Sequence, residues 1–78
     1  MSLQPGRYRH YKGGEYAVYG VATHSETEEP MVVYRPLYGE GALWVRPLSM
    51  FQETVEHEGR TVPRFQFVDE LALPELEG

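Results

Sequence analysis

Apolar and polar residues alternate along this chain in short runs, which glycine, proline or acidic residues interrupt at frequent intervals. No segment keeps the 3.6-residue period of an amphipathic helix, whereas short alternating runs are typical of strands. The pattern predicts strands at residues 6–12, 15–24, 31–37, 42–46, 53–57, 60–62 and 64–68. We therefore expect an all-β fold, either a small SH3-like barrel or a strongly bent antiparallel sheet of five to six strands with single helical turns.

The segment after the fourth run combines a strand breaker with large apolar residues. Pro47 cannot donate a strand hydrogen bond, so it ends the ladder. We expect a short turn from Pro47 to Phe51, with Leu48 and Phe51 filling the core.

Length and charge indicate one small domain with an acidic end. The chain has 78 residues and no cysteine, so no disulfide can stabilise its thin core. We divide it into a flexible N-terminus at residues 1–5, a single β domain at 6–68 and an acidic tail at 69–78. The tail carries −4 of the net charge of −5, which leaves −1 for the rest. Such a neutral body has no long-range field for nucleic acid.

Several other classes of protein are not indicated. No run approaches the length of a membrane span and no signal peptide is visible, so we expect a cytoplasmic protein. We expect no cofactor. The three histidines, His10, His24 and His57, lie 14 and 33 residues apart, which matches no compact metal-ligand pattern.

Loop lengths predict which side chains share a face of the sheet. A four-residue loop at 38–41 places Arg35 opposite Trp44 and Val33 opposite Arg46. A six-residue loop at 25–30 places Gly20 opposite Arg35. Any even loop length keeps these faces, whereas an odd length exchanges them.

With this register, one face carries two arginines and the only tryptophan, and we interpret it as a binding face. Arg35 lies across Trp44 in a cation–π contact, and Arg46 lies diagonal to Arg35. Two like charges beside an indole favour a carboxylate or phosphate next to an apolar or aromatic group, as in an acidic peptide or a nucleotide-like molecule. The candidate site has Gly20 and Ala22 as its floor and His24 and Tyr38 at its rim.

Other interpretations of the same residues stay open. The two arginines can pair with Glu40, Glu53 or Glu56 while Trp44 packs under the tail. The Trp44 face can instead be buried against a second copy in a structural homodimer. A small hydrolase would use His24 with Glu26 or Glu28 as acid and base. Ser25 and Glu28 have capping-box spacing, which favours a single helical turn at residues 25–30.

A basic and aromatic cluster occupies the first strand. It consists of Arg7, Tyr8, Arg9, His10, Tyr11 and Lys12. Such clusters can follow single-stranded nucleic acid, but the neutral body disfavours that interpretation, and we favour an edge strand protected by charge.

Three runs carry a family resemblance: GRYRHYKGGEYAVYGVATHSETEE, VVYRPLYGEGALWVRPLSMF and ETVEHEGRTVPRF. Together, over residues 6–65, they resemble the uncharacterised bacterial family called domain of unknown function 1653. The resemblance implies a short bacterial domain of unassigned activity and brings no catalytic residues. The positions that match its motif are His24, Ser25, Glu26, Thr27, Tyr34, Arg35, Tyr38, Gly39, Trp44, Val45, Arg46, Pro47 and Phe51.

Overall fold

The computed structural model describes residues 3–70, so most of the predicted acidic tail lies outside the described residues. Seven strands and one short helix follow one another along this part of the chain. They are β1 (Gly6–His10), β2 (Glu15–Thr23), β3 (Pro30–Pro36), β4 (Trp44–Pro47), α1 (Leu48–Phe51), β5 (Thr54–His57), β6 (Arg60–Pro63) and β7 (Phe65–Asp69).

The strands form one open antiparallel sheet and one separate hairpin. The sheet has five strands in the order β4-β3-β2-β1-β7, and β5 pairs with β6. The fold is therefore all-β, as predicted. Within residues 3–70 the sheet does not close, so the bent sheet and not the barrel describes it, and β1 lies inside the sheet instead of at its edge.

A β-bulge in β2 sets the pairing between β2 and β3. Val18 pairs with Tyr34 and Gly20 pairs with Val33, so Tyr19 is the extra residue. Gly20 has a φ of +149°, a backbone conformation that side chains rarely permit. The predicted pairing of Gly20 with Arg35 is wrong. The β2–β3 ladder ends at Thr23 and Pro30, which pairs Gly20 with Val33, and the bulge then places Arg35 opposite Ala17.

The register between β3 and β4 differs by one residue from the prediction. Trp44 pairs with Tyr34 and Arg46 with Val32, so the predicted pairing of Arg35 with Trp44 is wrong. The connection comprises the seven residues 37–43, because β4 begins only at Trp44. An odd connection exchanges the two faces of β4 relative to the predicted arrangement.

We call the two sides of the five-stranded sheet the inner and outer faces. Partners in register share a face, so Tyr34, Trp44 and Arg46 lie on the inner face, which packs against the core. Arg35 pairs with Ala17 and lies on the outer face. The two arginines of the predicted site are therefore on opposite sides of the sheet.

The core lies between the inner face and α1. Its buried residues are Tyr8, Tyr16, Val18, Val32, Tyr34, Leu48, Phe51 and Phe65. Leu48 and Phe51 are each only 1% exposed, which confirms the prediction that this short segment fills the core. The ring of Phe51 stacks on that of Phe65 with centroids 4.2 Å apart.

One contact shows which residues of β3 form backbone hydrogen bonds with β2 and which with β4. The Leu37 N–H donates to the Glu15 carbonyl at 2.9 Å. Bonded and non-bonded pairs alternate along antiparallel strands, so Arg35 directs its backbone groups toward β2 and Tyr34 directs its own toward β4. The same alternation leaves Pro36, which has no N–H, in a non-bonded pair with β2.

None of the helical structure in residues 3–70 is long and apolar enough to cross a membrane.

The α1 segment offers a direct test of where the core lies. We expect Phe51→Ala to lower the free energy of unfolding by about 3–5 kcal/mol, because the ring is buried on several aromatic neighbours. Met50 lies on the same helix but is 46% exposed, so Met50→Ala should cost less than about 1 kcal/mol. Urea unfolding of both variants checks the difference, and equal losses would contradict this placement.

Two glycines with nearly equal φ angles separate backbone strain from steric clash. Gly6 has a φ of +147° and Gly20 of +149°. A Cβ on Gly6 would lie 2.6 Å from the Asp69 carbonyl oxygen, whereas one on Gly20 would meet nothing within 4 Å. We expect Gly20→Ala to cost roughly 1–3 kcal/mol from strain alone and Gly6→Ala to cost clearly more. Denaturant unfolding of the two variants measures their losses in free energy of unfolding. Equal losses would show that backbone strain, and not the clash at Gly6, accounts for both.

Candidate functional site

Aromatic rings cover the inner face next to β4. The Tyr16 ring lies 5.6 Å from Tyr34, 6.2 Å from Trp44 and 5.4 Å from Phe65, measured between centroids. Trp44 also meets the Tyr34 ring edge-on at 5.9 Å. These contacts fix one side of the indole on buried tyrosines and leave 42% of the Trp44 residue exposed.

Arg46 lies beside these rings and is held by aromatic groups. Its Nε donates a hydrogen bond to the Tyr34 hydroxyl at 3.2 Å. Its guanidinium carbon lies 5.8 Å from the centroid of the Phe65 ring. Among residues 3–70 no carboxylate forms an ion pair with Arg46. The guanidinium is therefore held by one aromatic ring and one hydroxyl, and it has no counter-charge from the described part of the chain.

A shallow groove runs along these side chains. It encloses about 460 Å³ and is lined by Tyr34, Trp44, Val45, Arg46, Pro47 and Met50. We call it the Trp44–Arg46 groove. A single cation in an otherwise apolar and aromatic lining suits a ligand that combines one anionic group with an apolar surface.

The exposed large apolar side chains of the described chain are concentrated around this groove. They are Leu37, Tyr38, Leu43, Trp44, Val45 and Met50, all within residues 37–50. Val45 on the edge strand β4 is 60% exposed. Exposed apolar side chains that are concentrated in one part of a chain favour an interaction site more than scattered single residues do.

Tyr38 extends the aromatic surface beyond the groove. Its hydroxyl lies 2.7 Å from the Tyr16 hydroxyl, and the two rings meet edge-on at 5.7 Å. Burial, and after it the hydrogen bond with Tyr38, raises the pKa of Tyr16 to about 12. The Tyr16 hydroxyl therefore stays protonated at neutral pH, and Tyr16 connects Tyr38 with Trp44.

Arg35 occupies a different environment from Arg46. Its guanidinium carbon lies 5.7 Å from the centroid of the Tyr19 ring, so the predicted cation–π contact with Trp44 is wrong. Like Arg46, Arg35 forms no ion pair within residues 3–70, and Glu53 pairs with Arg64 instead. The alternative in which both arginines are neutralised by Glu40, Glu53 or Glu56 is therefore absent from the described chain. The binding role of Arg35 stays a prediction.

His24 closes the turn between β2 and β3. Its Nδ1 accepts the backbone N–H of Glu26 at 3.1 Å and that of Thr27 at 3.3 Å. The Glu28 N–H also donates to the His24 carbonyl at 2.9 Å, which closes a single α-turn as predicted, but the side chain that caps it is His24 and not Ser25. With Nδ1 occupied by two backbone donors, the observed contacts of His24 are those of a loop-capping residue.

The two residues predicted at the rim, His24 and Tyr38, lie at opposite ends of β3. His24 precedes this seven-residue strand and Tyr38 follows it, which puts them roughly 20 Å apart along the strand. One small pocket cannot have both at its rim. Gly20 and Ala22 do not form its floor, because Gly20 pairs with Val33, on the other face from Trp44.

A second groove lies between the sheet and the β5–β6 hairpin. It encloses about 480 Å³ beside His10, Tyr11, His57 and Phe67. The His10 ring lies 4.6 Å from the Tyr11 ring, and its Nδ1 accepts the Lys12 N–H at 3.1 Å. Burial, followed by the charges of three nearby basic side chains, lowers the pKa of His10.

The basic cluster of β1 is largely neutralised within the described chain. Arg7 pairs with Asp69 and Glu15, and Arg9 also pairs with Glu15. Residues 3–70 contain no group of three histidine, cysteine or acidic side chains that could hold a metal ion.

Tyr34 and Met50 line the groove but were missed by the sequence reasoning. The predicted register, which is one residue away from the observed one, placed Tyr34 on the opposite face from Trp44. The prolines contain the missing signal. Bonded and non-bonded pairs alternate along a ladder, so the predicted register allows two hydrogen-bond patterns. In one pattern Pro36 would have to donate an N–H to β2, and in the other Pro47 would have to donate one to β3, which neither proline can do. The observed register leaves both prolines without that requirement.

The fold and groove define a small, open antiparallel β domain with an exposed aromatic edge. The sequence model of the family described as "Protein of unknown function (DUF1653)" matches residues 6–67, and this chain belongs to that family. It is also similar to the crystal structure of a DUF1653 protein from Bordetella bronchiseptica. The two are 40% identical with a TM-score of 0.81, over 94% of this chain and 95% of that one. No curated protein matches the chain.

The environment of His10 predicts how stability changes with pH. Its pKa in the folded protein lies below the ordinary 6.5, so the unfolded chain takes up the proton more readily. The contribution of His10 to stability is complete above about pH 6.5 and is lost as the pH falls below it. We expect His10→Asn, which retains an acceptor for the Lys12 N–H, to flatten this decline.

Urea unfolding of both proteins at several pH values between about 7.5 and 5 measures the effect. The difference between the two curves isolates His10 from the carboxylates, which titrate in both proteins. Parallel curves would show that His10 does not contribute.

Proposed function

We propose that this domain is a binding module and that the Trp44–Arg46 groove is its site. The observation that carries the proposal is Arg46, a cation without a carboxylate partner among residues 3–70, fixed beside exposed aromatic and apolar side chains. A guanidinium held by one hydrogen bond at Nε keeps its terminal N–H groups available for an anion.

The ligand chemistry follows from the two kinds of surface in the groove. Arg46 suits a planar anion, because its donors form a rigid fork that matches a carboxylate or a phosphate. Trp44 offers an indole face with tyrosine packed behind it. We infer a ligand with an anionic group next to an apolar or aromatic group. An acidic peptide segment fits best, because the groove is shallow and open.

Of the six residues predicted from the sequence, three support this proposal. Trp44 and Arg46 form the groove, and Tyr38 is linked to it through Tyr16. The proposal does not need His24 or a catalytic step. Bacterial origin and a cytoplasmic location also stay predictions.

Trp44 is the only tryptophan, so its fluorescence reports on the groove directly. We expect a blocked peptide of alternating glutamate and leucine to change the emission saturably, and the glutamine analogue to leave it unchanged. Arg46→Gln should weaken binding of the glutamate peptide about tenfold or more, since a charge-assisted hydrogen bond contributes about 1.5–3 kcal/mol. Titration calorimetry with adenosine monophosphate as a second probe distinguishes peptide from nucleotide-like ligands.

Arg35→Gln is the matched control, because it removes an equally unpaired arginine from the outer face. Its affinity for the peptide should equal that of the unmodified chain. Equal losses in the two variants would indicate non-specific charge attraction, and an unaffected Arg46→Gln variant would contradict the proposed site.

A further inference from the structure

Within residues 3–70, the edge strand β4 has backbone groups that no second strand pairs, together with exposed side chains on both faces. Tyr34 directs its backbone groups to β4, so Trp44 and Arg46 bond with β3 in the alternating ladder. Val45 and Pro47 then direct their backbone groups away from the sheet. Pro47 has no N–H, so Val45 is the residue of β4 with both an outward donor and an outward acceptor.

The other edge of the sheet differs from β4. The strand β7 carries none of the exposed large apolar side chains, whereas β4 carries two of the six and the segments on either side carry the rest. Exposed edges are sites where another strand can pair, and natural proteins usually protect them. In the described chain, β4 is the edge with an accessible apolar surface beside it.

We propose that a second copy of this chain pairs antiparallel along β4, with the two-fold axis at Val45. The two Val45 residues would exchange both N–H to carbonyl hydrogen bonds. On the inner face, Trp44 would then lie directly opposite the partner's Arg46, and Arg46 opposite the partner's Trp44. The five-stranded sheets would join into one continuous sheet across the axis.

The chemistry of the strand favours a copy of itself as the occupant. Each Arg46 would gain an indole partner in a cation–π contact, and each exposed Trp44 would gain a cation. A shift of two residues in one direction would place Arg46 directly opposite the partner's Arg46, where like charges repel. A shift in the other direction would pair the two tryptophans and leave both arginines without a partner.

This inference goes beyond the proposed ligand, because it is based on backbone groups and exposure and not on an unpaired charge. The two remain compatible. Stacking uses the faces of a guanidinium, whereas its N–H donors lie in the plane and stay available for a carboxylate. In the dimer, the partner's Trp44 would become part of each anion site.

The test exchanges charges at the two-fold axis. Val45 is 60% exposed, so the fold should tolerate Val45→Lys and Val45→Glu. Either variant alone places like charges directly opposite each other and should sediment as a monomer, whereas an equimolar mixture should form the heterodimer. Val45→Thr, which keeps a β-branched side chain and the N–H, should remain dimeric like the original protein.

Analytical ultracentrifugation over about a hundredfold range of concentration measures these states, and circular dichroism verifies that each variant is folded. A monomeric original protein overturns the proposal and leaves the edge to a strand from another polypeptide. Val45→Lys and Val45→Glu variants that stay dimeric, or that fail to associate when mixed, overturn the register. Peptide titration of the original protein at a concentration at which it sediments as a monomer separates the two proposals, because binding there supports the groove without the dimer.

Discussion

The stack of Phe51 on Phe65 joins the helix α1 to the edge strand β7 of the sheet. The two rings are nearly parallel, 4.2 Å apart, and they belong to the residues on either side of the β5–β6 hairpin. Tyr34 meets both rings edge-on, at 5.5 and 5.9 Å. The guanidinium of Arg46 in turn lies over Phe65. The groove is therefore built directly on the core, and a displacement of this stack would also move the arginine.

The sequence was informative wherever a property depends on neighbouring residues. The strands, the turn at Pro47 and the burial of Leu48 and Phe51 follow from local alternation and from one missing N–H. The closure of the sheet and the pairing between strands depend on residues far apart in the chain. The Tyr19 bulge and the later start of β4, which makes the connection 37–43 odd, each shifted a register, and neither follows from local alternation.

The same distinction explains which parts of the candidate site were correct. Trp44 and Arg46 are two residues apart in one strand, so they share a face in any register. Arg35 is on another strand, and its relation to them changed with a shift of one residue. His24 and Tyr38 lie at opposite ends of β3, a separation that the predicted strand already implied. Geometry within a strand was thus reliable, whereas geometry between strands was not.

The prolines of β3 and β4 determine where the length of the chain can change without a shift of the strands. Pro30 and Pro36 direct their nitrogens away from β2, and Pro47 directs its own to the edge. Sliding β4 by one residue would bring Pro47 to a bonding position and forfeit a hydrogen bond. The strands themselves thus resist slippage, independently of the connection between them. Insertions and deletions in residues 37–43 would therefore be absorbed by the loop, and the chain could change length there while the tryptophan and arginine keep their side of the sheet.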